Sequence, residues 1–173
     1  MLNETALNII EQFFYTGLNR VQASSIIKKT GYDFKTVKKY LEYLEKLSLI
    51  TTHKDLSRPT YEANYRSRFF LNIKRQKMLD EIFTSGLPQY LNEKLGETAC
   101  IMFGSCSRGD YYESSDIDIF VQGKKINLDV SKHEKKLKRK INFFFEEKWQ
   151  SLNEGMKTGL LNDGVSINGR LKI

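Results

Sequence analysis

The chain of 173 residues has little of what several protein classes require. It holds two cysteines, Cys100 and Cys106, six apart and with no second pair at zinc-ligand spacing. That excludes a disulfide scaffold and fits a reducing compartment. Its two histidines, His53 and His133, are too few and too far apart for a histidine-based metal centre. With two prolines, and 40% hydrophobic against 28% charged residues, it is neither a fibrous nor a disordered chain. No apolar run approaches the ~20 residues of a membrane span, so no membrane partner is expected. The opening MLNETALNIIEQFF lacks the basic start, apolar block and cleavage site of a secretory signal. A cytoplasmic location is the expectation.

Charge is present but spread. The net of +7 divides into +2 for residues 1–65, +2 for 66–99 and +3 for 100–173. A polyanionic partner would therefore have to be met by local patches. The densest, Lys132–Lys140, has six basic residues of nine. It reads as a solvated amphipathic helix with Leu137 inward, the alternative being a nucleic-acid contact.

The first 65 residues predict three helices and a hairpin. Asn3 can cap a helix over 3–15 that aligns Ala6, Ile9, Ile10, Phe13 and Phe14. A second helix spans about 22–30 and stops at Gly31. Asp33 caps a third over 34–47, striped by Val37, Leu41, Leu44 and Leu47. Strands over 49–53 and 60–65 flank a turn at 54–59. Two helices joined by a short glycine turn have helix-turn-helix geometry, in which the second can enter a major groove. Lys35, Thr36, Lys38 and Lys39 on that helix, and Arg58 on the hairpin, are suited to phosphate and base-edge contacts. The arrangement resembles the winged helix-turn-helix domain of prokaryotic transcription regulators, which implies duplex DNA as partner. The same fold also serves as a protein-interaction module.

Residues 66–87 form a helical linker that could supply a homodimer helix, and 88–173 a second domain. There a short helix (88–95), a strand (98–103), a strand (116–121), a helix (131–139), a strand (140–145), a helical stretch (147–162) and a short strand (165–167) follow one another. This predicts an α/β or α+β unit. Phe143, Phe144, Phe145 and Trp149 read as part of its core, the alternative being a base-stacking platform. Gly104-Ser105 ends the first strand, where a glycine lets backbone amides approach a phosphate. Asp116 and Asp118 lie two apart on a strand, so both carboxylates face one side while Ile117, Ile119 and Val121 face the other. Paired carboxylates repel unless a hard cation sits between them, and Mg²⁺ bridging to a triphosphate meets that need.

The order glycine-serine, then Ser115-Asp-Ile-Asp118, between two apolar strands and with Arg108-Gly109 between, resembles the polymerase-β-like nucleotidyltransferase superfamily, its minimal members above all. The resemblance covers roughly 88–173. It implies a mixed β-sheet flanked by helices, Mg²⁺, ATP or another NTP, and nucleotidyl transfer to a hydroxyl. Some relatives transfer AMP to a partner protein, often a small helical toxin. By the family pattern Gly104 and Ser105 cradle phosphate, Asp116 and Asp118 are catalytic and hold the metal, and Arg108 and Ser115 lie near the triphosphate. For Arg108 the other reading is a surface salt bridge to Asp110 or Glu113.

The sequence departs from the family at one place. Active members carry a third carboxylate on the neighbouring strand, and the matching position is Asn142. An amide can ligate a cation but cannot act as a base. Glu146 lies four residues on, ~13 Å at strand rise; Asp129 falls in a loop or helix start. Two functions stay open: a DNA-binding protein that binds Mg–NTP and transfers a nucleotidyl group, and a degenerate nucleotide-sensing transcription regulator or antitoxin-like autoregulator.

Overall fold

The computed structural model describes residues 2–55 and 57–173. Leu56, inside the turn expected over 54–59, lies outside the described residues. The chain divides into two compact units, Met1–Lys74 and Arg75–Ile173.

The first unit runs α1 (Glu4–Ile10), β1 (Val21–Gln22), α2 (Ala23–Thr30), α3 (Phe34–Lys46), β2 (Ile50–His53) and β3 (Thr60–Ala63). Local chemistry sets the helix ends. The Asn3 side chain accepts from the Ala6 amide, and Asp33 does the same for Thr36. Gly31 ends α2 in the left-handed conformation, at φ 75°. The first helix is shorter than its apolar spacing predicts. It tightens into a 3₁₀ turn over Glu11–Phe13, and the Tyr65 hydroxyl donates to the Phe13 and Phe14 carbonyls beyond it. Strand β1 goes unpredicted. It pairs antiparallel with β3, giving a three-stranded sheet of order β1-β3-β2. Ile9, Ile10, Phe13, Ile26, Val37, Leu41, Leu44 and Leu49 fill the core beneath.

Helix α4 (Arg68–Ser85) contains the division between the units. Phe70 on its first turn packs in the first core; Met78 and Ile82 pack in the second.

The second unit continues with α5 (Leu87–Leu95), β4 (Cys100–Phe103), α6 (Gly104–Arg108), β5 (Ile117–Val121), α7 (Ser131–Leu137), β6 (Ile141–Phe145), α8 (Glu154–Asp163) and β7 (Val165–Asn168). Its sheet has the order β6-β5-β4-β7 and is mixed: β5 and β6 are parallel, while the β4 pairings are antiparallel. The architecture is α+β with helices against a mixed sheet. Alternation along β5 separates two chemistries. Ile117, Ile119 and Val121 face a core shared with Met102, Leu87, Leu91 and Ile141. On the opposite face Phe120 and Ile101 pack under Trp149, Leu152 and Leu160, and Asp118 lies on this second face. Among the described residues no helix is long and apolar enough to cross a membrane.

Two sequence expectations differ in detail. Residues 104–108 form a short helix instead of an open turn. Of the three consecutive phenylalanines, Phe143 and Phe145 pack against the core but Phe144 is 44% exposed.

Both cysteines are buried free thiols, and burial pushes the Cys100 thiol up to about 11. Since the thiolate is the reactive form, neither cysteine should react with Ellman's reagent at pH 8 in the folded protein. Denaturant should release two equivalents.

Candidate active site

The site is built where β4 ends and β5 begins. Phe103 and Asp118 are register partners across the antiparallel pair, and Asp118 and Asn142 across the parallel one. This places Phe103, Asp118 and Asn142 in one row across three strands, with Gly104 next after Phe103. Asp116, one residue before β5, is exposed, and Asp118 is half-buried. Their carboxylates converge on one donor. The Asn142 amide nitrogen Nδ2 donates to Asp116 Oδ2 at 3.2 Å and to Asp118 Oδ1 at 3.0 Å. Asn142 thus sets a neutral group between the acids and offers hydrogen to both.

Gly104 is required by its surroundings. It sits at φ 76°, and a Cβ there would lie 2.9 Å from Asp118 Oδ2. A side chain would be strained in its backbone and would press on a carboxylate oxygen. Ser105, on the first turn of α6, is half-buried. The Ser107 hydroxyl donates back to the Gly104 carbonyl at 2.9 Å, and the buried Cys106 sulfur lies 3.2 Å from the Asp116 carbonyl.

The loop leading into Asp116 is clamped from behind. Ser115 closes a tight turn, its hydroxyl accepting from the Tyr112 amide at 2.8 Å. The buried Arg139 guanidinium donates through Nη1 to the carbonyls of Tyr112, Glu113 and Ser115, at 2.8, 2.8 and 2.7 Å, and lies 5.1 Å from the Tyr111 ring centroid. Lys138, left-handed at φ 53°, ends α7 just before Arg139. Sequence reasoning missed Arg139 because it sits inside a basic run that looks solvated. Its one available signal was its place between a helix and a strand carrying the matched amide.

The remaining predicted residues are placed as follows. Arg108 Nε pairs with Asp110 Oδ2 at 3.0 Å on the surface, the alternative foreseen for it. Glu146 follows the end of β6, and its backbone amide donates to Val121. Asp129 accepts from the Ser131 amide and hydroxyl ahead of α7; these bonds hold its carboxyl below the usual carboxylate range. Among the described residues no three His, Cys, Asp or Glu side chains gather as a metal-binding group.

In the first unit Lys35, Lys38, Lys39 and Arg58 are exposed. Lys38 and Arg58 both border a groove of about 490 Å³ whose walls include Ile27, Phe34, Pro59 and Tyr61. The Thr36 hydroxyl is engaged within the helix cap, donating to Asp33 Oδ2 at 2.6 Å.

Gly104→Ala should therefore destabilise the second unit. The left-handed backbone alone accounts for roughly 1–2 kcal/mol, measurable by chemical denaturation, with a further loss from the approach to Asp118.

Residues 85–157 match the family model described as nucleotidyltransferase domain, a stretch that contains Gly104, Asp116, Asp118, Arg139 and Asn142. No curated protein matches the chain. Over this stretch, in its sequence, the second unit is similar to nucleotidyltransferase domains.

Proposed function

We propose that the chain is a DNA-binding protein whose second unit binds a nucleoside triphosphate with Mg²⁺ and transfers its nucleotidyl group to a hydroxyl of a protein or small-molecule acceptor. The observation carrying this reading is the convergence of Asp116 and Asp118 beside Gly104, within residues similar to nucleotidyltransferase domains.

The residues fit a hard cation. Two carboxylates share one open rim and already draw a hydrogen-bond donor between them. Asp116 and Asp118 would hold Mg²⁺, which when bound offsets phosphate charge and polarises the phosphoryl group. The chain's own groups do the rest. Gly104 keeps the end of β4 clear, so that phosphate oxygens can come close to the backbone. Ser105 offers a hydroxyl next to it. Arg139 fixes the loop before Asp116 and so fixes where that carboxylate stands. Asn142 orients both carboxylates but cannot take a proton from an attacking hydroxyl. Transfer is accordingly slow relative to binding.

That same amide favours a second reading, a nucleotide sensor that binds without turnover and adjusts the DNA affinity of the chain. The two readings share one binding site and differ only in the chemical step.

The first unit supports DNA recognition by its element order. Helix, strand, two helices and a hairpin, with the short strand added to the hairpin, is an order compatible with a winged helix-turn-helix. Under this reading α3 carries Lys35, Lys38 and Lys39 toward the duplex, and Arg58 reaches it from the hairpin.

Calorimetry with Mg–ATP tests the site. Asp118→Asn should weaken binding at least ~10-fold, since it removes a charge that the cation needs; unchanged affinity would sink the proposal. In the same preparation Asn142→Asp should raise transfer of label from α-labelled ATP by on the order of 100-fold, the scale of a positioned base. Wild-type turnover lost in Asp116→Ala supports transfer, and tight binding without any turnover supports the sensor. For the first unit, duplex affinity should fall with salt. Lys38→Ala with Lys39→Ala should make that dependence shallower by about two phosphate contacts, as read by fluorescence anisotropy.

A further inference from the structure

The face of the sheet that carries the acidic pair changes character along its strands. Asp118 and Asn142 stand side by side, and two residues on Phe120 and Phe144 stand side by side in the same register. Phe143 and Phe145 turn to the opposite face and join the main core. Phe144 does not. Its ring is 44% exposed and meets the Phe103 ring edge-on, centroids 5.3 Å apart. Trp149, Leu152 and Leu160 close over Phe120. Phe144 is left at a pocket of about 340 Å³. Phe120, Phe143, Phe144, Phe145, Leu152 and Met156 line it, together with one ammonium, Lys125, and one carboxylate, Glu146.

A fully solvated strand face would be served better by a polar residue at position 144. Instead an aromatic ring is displayed about 7 Å along the strand from Asn142, at the usual rise per residue. That offset is the reach of a ribose from a polyphosphate to its base. An aromatic face with apolar walls, one donor and one acceptor suits a flat heterocycle.

We propose that this pocket takes the nucleobase of the bound triphosphate, with Phe144 as its stacking face. The assignment rests on the nucleotide reading above and deepens it. The base packs against the Phe144 ring, which Phe103 braces edge-on. Met156 closes the slot with its polarisable thioether. Lys125 donates to a ring nitrogen or carbonyl, and Glu146 accepts from an exocyclic amine. One Glu146 oxygen already accepts from the Lys148 amide at 3.2 Å, which holds the side chain.

The test separates base from phosphate. Mg–ATP and Mg–tripolyphosphate are titrated calorimetrically into the wild type, Phe144→Ala, Phe144→Leu and Asp118→Asn. Wild type should bind ATP more tightly than tripolyphosphate. Phe144→Ala should weaken ATP roughly 10-fold, the scale of one lost stacking contact, and leave tripolyphosphate within about two-fold. Phe144→Leu keeps apolar bulk and lacks a ring face, so it should lose affinity for ATP in the same direction even if the alanine variant folds poorly. Equal wild-type affinity for the two ligands would overturn the assignment, and so would Phe144 variants that weaken both ligands alike or neither. Asp118→Asn reports on the phosphate site: it should weaken both ligands. If it alters neither while the Phe144 variants still act on ATP alone, the cation reading fails and the base pocket stands. A wild type that binds neither ligand overturns both.

Discussion

Two like charges placed side by side at the rim of a sheet set the terms for everything around them. Asp118 lies on β5 and Asp116 one residue before it, and both carboxylates reach the same amide. A hydrogen donor between the oxygens offsets the repulsion of such a pair. Here the Asn142 amide fills that place, bonded to both acids. The parallel pairing of β5 with β6 is what delivers it, because only that register sets residue 142 opposite residue 118. A carboxylate at 142 would add a third negative charge to the same spot and would need a cation to hold it there. The amide keeps the pair in place without that demand and gives up the capacity to accept a proton.

The neighbouring devices serve the same end. A glycine leaves room beside Asp118. A buried guanidinium gathers three carbonyls of the loop that carries Asp116, replacing the ladder bonds that this irregular segment lacks. Arg139 can do so because Lys138 adopts a left-handed turn, which ends α7 abruptly. The candidate site therefore stands on paired strands in front and on a charge-assisted clamp behind. Little of it depends on long exposed side chains.

How much of this the sequence displayed depends on which force shaped each part. Helix α3 was plain, because the glycine that stops α2, an aspartate cap and an apolar stripe all agreed on where it runs. The inner face of β5 was equally plain, since isoleucine, isoleucine and valine alternate with other residues. The two-residue strand β1 was invisible, because β3 recruits it through backbone pairing that leaves no side-chain signature. The break after Ile10 was hidden for a similar reason: the hydroxyl that takes up the freed carbonyls comes from Tyr65, far along the chain. Three phenylalanines in succession carry no alternation, so pattern alone could not say that Phe144 would be the one left outside. Arg139 was masked by the lysines around it.

The sheet that bears the acidic rim is stitched from distant segments. Its central hairpin, β4 with β5, is the most local part, while β6 and β7 arrive from much later in the chain and dock on opposite edges. The donor that steadies the acidic pair is therefore supplied by β6, an edge strand with one side unpaired. Fraying of that edge would withdraw the amide from both acids at once.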